Sequence, residues 1–409
     1  MYPFSPRALI RGGLTLLLLN PVVATVTPRA LGQDPVLVID TFKHEYKNDL
    51  EAWHGGQDIP MYWGNGYVEF YPSWPNQSYY TQISNSCFDL TAFKDMYLHV
   101  VYEGNDRFSL SMSQNNVNCN PAQKPYPETW DSVVAKNYAN GSDIYVPISH
   151  YSLDYTRGLS IAFHGFYTPE KLRLRKVEIT ATKPDEFVTP EKIPTGTLFF
   201  KCKRPNSFAF GIDDGLPEYA REVMDILASE NINVTFFTVG GGLANPSTGF
   251  ADIYREMASK GHQIALHTWS HPTMEGLKTD EEIDEEFVKN IDVMKELLDI
   301  ESRYFRPPYG IVGARTRQRL AALIKDPYII NWGIDIQDWL WADSPTPEKQ
   351  LEAFQRDVDK GGDLVVMHFL SPTTVGYTRD VIQIAKKTGK RIMRVDQCME
   401  DPNAPPLDY

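Results

Sequence analysis

The chain has 409 residues, 42% hydrophobic and 23% charged, enough at roughly 150 residues per domain for two or three domains with real cores and not a disordered tail. Its net charge of −13 excludes a nucleic-acid binder built on a basic face, and four cysteines are too few for a disulfide-built miniprotein. The acidity itself names no partner, because solubility is its commonest cause.

At the N-terminus, Arg7 and Arg11 precede an uncharged stretch at 12–28 centred on Leu16 to Leu19. Asn20 and Pro21 interrupt it, and it is short for a membrane span of ~20 apolar residues. Ala30 and Gly32 then supply small residues at alternate positions, so residues 1–32 read as a secretory signal cut near Gly32-Gln33; an uncleaved anchor is the alternative. No other stretch is long and apolar enough to span a bilayer, and the polar end at 402–409 argues against a lipid-anchor signal. The expected location is secreted and extracellular, with association to the cell wall left open, and the expected state is a monomer. Secretion permits disulfides, and the simplest pairing is one bridge per half, Cys87–Cys119 and Cys202–Cys398. Glycosylation sequons begin at Asn76, Asn140 and Asn233; the last runs into an apolar strand and is expected to be buried and unmodified.

Residues 36–182 have an apolar period of two. Phe108, Leu110 and Met112 alternate with serines, Leu159, Ile161 and Phe163 with Ser160, Ala162 and His164, and Ile144, Val146 and Ile148 repeat the theme. With turn signals at Asn65-Gly66 and Asn140-Gly141, this predicts an all-β sandwich, and the segments Cys87 to Leu90 and Lys171 to Thr180 resemble galactose-binding-type jelly rolls. Pro184, Pro190 and Pro194 mark a linker at 183–198. From 199 to 398 strands alternate with helices. Strands are expected at 207–212, 234–239, 264–267, 328–334 and 364–368, and a helix at 218–229. Ile283, Phe287, Ile291, Met294 and Leu298 mark one face of a longer helix. Such alternation implies a parallel sheet with enough units to close a barrel, followed by a tail at 399–409.

Five polar clusters fall at the C-terminal ends of these strands, where parallel barrels place their sites. They are Gly211-Ile212-Asp213-Asp214-Gly215, His267-Thr268-Trp269-Ser270-His271, Arg306-Pro307-Pro308-Tyr309-Gly310, Asp335-Ile336-Gln337-Asp338-Trp339 and Val366-Met367-His368. Taken singly, each has an ordinary explanation: a turn or helix cap, a surface histidine pair, a Pro-Gly turn, a structural histidine. In this order on successive strand ends they form a constellation. Adjacent carboxylates leave a strand on different sides, so one can hold a cation while the other handles a proton; histidines four apart can meet the same cation.

That ordered set resembles the NodB-homology polysaccharide deacetylases, carbohydrate esterase family four, over residues 200–396. The resemblance implies a distorted (β/α) barrel and metal-dependent hydrolysis of acetyl groups on glycans. By position it makes Asp213 the general base and Asp214, His267 and His271 the ligands of a divalent metal, zinc first and cobalt as the alternative. Arg306 then orients Asp213, His368 is the general acid and Asp338 tunes it. The Tyr309 backbone N–H helps hold the oxyanion, while Trp339 and Val366 wall the acetyl pocket. The chemistry agrees: an amide is a poor electrophile, so water must be made nucleophilic, the carbonyl polarised and the departing amine protonated. The family's first motif reads Thr-Phe-Asp-Asp-Gly-Pro, whereas Gly211 and Ile212 stand here and Leu216 precedes Pro217. Gly240-Gly241-Gly242 lacks a following Lys-Ser/Thr and is expected as a flexible loop lining the cleft, not a phosphate cradle.

The β region carries Trp53, Trp63, Trp74, Trp130, Tyr79 and Tyr80, which serve either its core or the stacking of sugar rings. The leading expectation is a deacetylase of chitin-like N-acetylglucosamine polymers. The alternatives are a deacetylase of another acetylated glycan, such as a galactosamine polymer, acetylxylan or peptidoglycan, and a non-catalytic glycan-binding wall protein.

Overall fold

The computed structural model describes residues 36–407; the expected signal at 1–32 lies outside the described residues. From Val36 onward the chain forms one compact unit. No helix of the described residues is long and apolar enough to cross a membrane.

The first half forms two antiparallel sheets. One has seven strands, in which Leu172–Thr180 pairs with Val36–Asp40, Tyr67–Phe70 and Tyr97–Gly104. The other runs His54–Gln57, Ser78–Gln82, Gly158–His164, Ser109–Gln114 and Thr129–Val134. Leu98, Val100 and Val177 of the first join Leu110, Met112, Ile161 and Phe163 of the second in one buried cluster, as the alternation requires. Both predicted disulfides are present, with Cα–Cα distances of 5.3 Å for Cys87–Cys119 and 5.1 Å for Cys202–Cys398.

The opposite face of the five-stranded sheet departs from the usual half-solvated pattern. Ser111 is 1% exposed and Ser160 6% exposed, although both point away from the core. The second half of the chain covers them. Ser109 Oγ accepts the Ala314 N–H at 2.7 Å, and Thr129 Oγ1 donates to Leu198 O at 2.7 Å. Arg317, wholly buried, faces Asp131 at 3.2 Å, donates to the Trp130, Thr195 and Gly196 carbonyls, and lies over the Trp130 ring at 5.0 Å. The proline-marked stretch between the sheets is irregular but strapped down: Thr195 Oγ1 donates to Asp131 and Lys192 also pairs with it.

The second half builds a nine-stranded parallel sheet. Its path runs Thr197–Phe199, Tyr328–Ile330, Tyr304–Phe305, Gln263–Leu266, Thr235–Thr238, Ser207–Asp213, Leu364–His368 and Ile334–Asp335, with Arg391–Met393 beside Ser207–Asp213. No ladder joins the two ends of this path among the described residues, so the barrel expected from the strand count is left open. Helices Pro217–Ser229, Phe250–Ser259, Asp280–Leu298, Ala314–Leu323, Lys349–Asp359 and Pro372–Lys387 fall between the strands.

Three expectations need correction. The strand expected at 328–334 is two short strands at different places in the sheet, because Asn331 to Gly333 carry the chain across. Asn331 N–H donates to Phe199 O and Gly333 N–H to Leu364 O; a Cβ at Gly333 would meet Phe200 O at 2.9 Å. The triple glycine is no flexible loop but the helix Gly240–Ala244, with N–H groups of Gly240 and Gly241 bound to Thr268 O and Trp269 O. Asn233 is only half-buried, its Nδ2 donating to Lys260 O at 3.2 Å, because it precedes the strand Thr235–Thr238 instead of entering it.

Removing the Asp131 carboxylate leaves the Arg317 charge buried without its partner. Asp131→Ala is expected to destabilise the chain by about 3–5 kcal/mol, read as a lower midpoint in calorimetry; a midpoint within a degree of the parent would refute that role.

Candidate active site

Parallel strands end side by side, and the five clusters meet there. Asp213 ends its strand as the register partner of His368 on one side and Phe237 on the other. His267 follows the strand Gln263–Leu266, and Arg306 follows Tyr304–Phe305. Arg306, fully buried, donates through Nη1 to Asp213 Oδ1 at 2.7 Å, through Nε to Ile330 O at 3.0 Å and through Nη2 to Val365 O at 3.1 Å. Its guanidinium lies 4.3 Å from the centre of the Phe237 ring. A Cβ at Gly211 would sit 2.4 Å from Arg306 Nη2, so glycine suits the position this arginine takes here. Leu216 precedes the helix Pro217–Ser229, where Pro217 takes the first helical position, at which no N–H is needed.

Asp214, His267 and His271 offer ligand atoms all within 4.8 Å of one another. His267 Nε2 is 3.7 Å from Asp214 Oδ1, and His271 Nε2 is 3.6 Å from Asp214 Oδ2. These separations are too long for hydrogen bonds and leave room between the atoms. Asp214 Oδ1 is buried without any hydrogen-bond partner, a costly state that a cation would relieve. His267 Nδ1–H donates to Arg306 O at 2.7 Å, turning the Nε2 lone pair inward. Burial holds that imidazole neutral, its pKa lowered to about 3 against the opposing pull of Asp214. One carboxylate and two imidazoles suit a zinc-like divalent ion with open positions.

On either side of this triad stand two charge pairs. Burial pushes the Asp213 carboxyl up while Arg306 and His368 pull it back, leaving a carboxylate more basic than an exposed one. His368 Nδ1–H donates to Asp338 Oδ1 at 2.9 Å, and its backbone N–H donates to Asp338 Oδ2 at 2.7 Å. Burial alone would lower the His368 pKa, but Asp338 outweighs it and raises the ring to about 10. Tyr309 stacks edge-on against His271 at 4.7 Å between ring centres. Trp339 is 61% exposed on the short helix Asp338–Trp341, whereas Val366 is buried in the strand Leu364–His368.

The backbone is strained where the clusters meet. Asp214, Thr268, His271, Tyr309 and Gln337 all have φ between 51° and 68°, a region non-glycine residues rarely occupy. Two residues that the motifs do not contain hold the histidine loop. Asn290 Oδ1 accepts the His267 N–H at 3.0 Å, and Glu286 accepts the N–H groups of Trp269 and Ser270 at 3.0 and 2.8 Å. Both lie on the helix Asp280–Leu298. The sequence shows only an asparagine three residues beyond Phe287; the structure shows that it is wholly buried on that helix.

Residues 201–325 match the family model described as polysaccharide deacetylase. The chain is 30% identical over 213 residues to a chitin deacetylase of Pestalotiopsis sp, covering 52% of this chain and 70% of that protein. It is 25% identical over 246 residues to the peptidoglycan-N-acetylglucosamine deacetylase PgdA of Listeria monocytogenes, covering 58% of this chain and 48% of that one. Among solved structures, the chitin deacetylase from the fungal pathogen Colletotrichum lindemuthianum aligns at 24% identity with a TM-score of 0.47, over 53% of this chain and all of that one. The family model and these relatives mark the chain as a hydrolase of the amide-cleaving class. The chain belongs to the polysaccharide deacetylase family.

Two outcomes follow from this geometry. An Asp338→Asn change removes the charge that raises His368, so its ring should lose its proton at a lower pH than the parent's value of about 10, as followed by NMR titration; unchanged titration would show that Asp338 does not set it. Gly211→Ala forces a methyl against the Arg306 guanidinium and should cost about 1–3 kcal/mol in denaturant unfolding; a neutral result would mean the pocket yields.

Proposed function

We propose that the chain is a secreted, metal-dependent deacetylase that hydrolyses N-acetyl groups of chitin-like N-acetylglucosamine polymers. The observation that carries this is the Asp214, His267 and His271 triad standing between a buried carboxylate–guanidinium pair and a buried imidazole–carboxylate pair. The relatives named for chitin and for peptidoglycan N-acetylglucosamine support the substrate class. The two disulfides are in keeping with an oxidising compartment outside the cell. An N-terminal jelly-roll-like sandwich and a C-terminal deacetylase region remain the domain division we favour.

Asp214, His267 and His271 would hold the divalent ion, zinc or cobalt. When bound, it supplies Lewis acidity that polarises the acetyl carbonyl and makes water easier to deprotonate. Asp213 has Oδ1 committed to Arg306, so Oδ2 is the oxygen that accepts the proton of the attacking water. The water oxygen bonds to the acetyl carbon, and the Tyr309 N–H donates to the carbonyl oxygen as it gains charge. His368, with Nδ1–H held by Asp338, presents Nε2–H to the sugar nitrogen. The C–N bond breaks, acetate leaves and the amine takes the His368 proton. Trp339 and Val366 border the acetyl methyl. Arg306 and Asp338 touch no substrate atom: they hold the base and the acid in place and in the right charge state.

Acetate release from the N-acetylglucosamine hexamer tests this. Activity should vanish on chelation and return with zinc or cobalt, and Asp213→Asn should lower kcat by about 10²–10⁴-fold with its thermal midpoint checked. Release from acetylxylan alone would move the substrate to another glycan. No release from any acetylated glycan by the metal-loaded chain would leave a glycan-binding protein.

A further inference from the structure

A cavity of about 560 Å³ lies between the covered face of the five-stranded sheet and the loops of the parallel sheet. Its volume falls within the range of sites for small ligands. One wall carries the rings of Trp53, Tyr80, Tyr126 and Trp130; Trp53 is 47% exposed and stands 6.4 Å from Tyr80 between ring centres. Beneath them lies the sheet's outward row of Ser111, Ser113 and Ser160, buried and already bonded to one another and to His164, flanked by Gln57 and Gln82. The other wall is Gly310, Ile311 and Asn331.

The chemistry of this lining is uniform. It contains no Asp, Glu, Lys or Arg. Its one histidine, His164, sits at hydrogen-bond distance from Ser111 Oγ, and burial holds it neutral with a pKa near 4. Aromatic rings and side-chain amides without charge suit a neutral, polyhydroxylated ligand whose apolar ring faces stack and whose hydroxyls are hydrogen-bonded. Asn331 adds a specific acceptor: its Oδ1 is buried with no partner, while its Nδ2 donates to Gly310 O at 3.1 Å. In a native structure such an atom calls for a donor from elsewhere.

The same loop serves the site described above. Gly310 and Ile311 follow Tyr309, which packs on His271, and Arg306 Nη2 donates to Asn331 O at 3.4 Å while Nη1 holds Asp213. One side of the Pro308–Gly310 turn therefore borders the metal-ligand triad and its other end borders the cavity.

We propose that this cavity is a saccharide subsite that takes acetylated sugar units of the polymer next to the unit being hydrolysed, so that the β region forms part of the substrate groove. The lining has no carboxylate to pair with a free amine, so it favours N-acetylated over deacetylated units. The identity of the sugar rests on the deacetylase reading; occupancy of the cavity does not, and binding is measured apart from turnover.

The test is isothermal titration of the chelator-treated full chain, made without N-glycosylation because Asn76 also lines the cavity. The hexamer of N-acetylglucosamine should bind, about tenfold more weakly to Trp53→Ala and Tyr80→Ala, with thermal midpoints matching the parent to show that both fold. The hexamer of glucosamine should bind the parent about tenfold more weakly than its acetylated counterpart. Equal affinity of parent and both variants, or equal affinity for the two hexamers, overturns the subsite. Binding lost on Trp53→Ala in a chain that releases no acetate after metal is restored would sustain the subsite while refuting the deacetylase activity.

Discussion

One buried guanidinium organises the site. Arg306 ties together strands from distant parts of the sheet: it binds Asp213 on Ser207–Asp213 and the Val365 carbonyl on the adjacent Leu364–His368, and the Ile330 carbonyl on the remote Tyr328–Ile330. A charge removed from water is tolerable only when its donors are met, and here a carboxylate, three carbonyls and the Phe237 face meet them. The requirement reaches back into the sequence, because the guanidinium as placed here lies where a Cβ at position 211 would fall. The price of that arrangement is an immobile Asp213, which is what a base with one free oxygen needs.

The acid is tuned by the inverse device. Asp213 is a carboxylate held by a cation, whereas His368 is a cation held by the Asp338 carboxylate. Asp213 and His368 are also partners in register on adjacent strands, so the two opposed pairs share one sheet edge. Burial disfavours charge in both, but the balance differs: at Asp213 it outweighs Arg306 and leaves the carboxylate more basic than usual, whereas at His368 Asp338 outweighs it and holds the ring protonated. Separation of roles follows from neighbours, not from residue type alone.

Much of this was legible from spacing. The period of two located the inward residues of both antiparallel sheets, and polar clusters after apolar strands located the site, because parallel strands must end together. What escaped depends on contacts distant in sequence. Asn290 and Glu286 sit 23 and 17 residues from the backbone groups they hold, and no local pattern ties them to the histidine loop. The triple glycine looked mobile because glycine permits mobility, but its lack of side chains lets a helix pack on Asn290 and Trp269. The break at Asn331 to Gly333 was hidden in an apolar run, since a chain crossing between strands stays as buried as a strand.

The serine rows show where pattern reading has a physical limit. Alternation reports that two faces differ, and a small polar residue reads as the solvated one. Ser109, Ser111 and Ser113 are instead buried because Arg317 and the N-terminus of Ala314–Leu323 dock over that sheet. Serine suits such a face: it is small enough for close approach, and its hydroxyl supplies bonds where water is excluded, as between Ser113 and Ser160 at 2.6 Å. A second buried guanidinium thus does for the two halves of the chain what Arg306 does for the strand ends. The loop carrying Tyr309 is consequently held from both directions, by the histidines on one side and by the sheet-facing Asn331 on the other. Its left-handed backbone persists because each neighbour is itself fixed, so the antiparallel half helps to shape the site without lending it a reacting group.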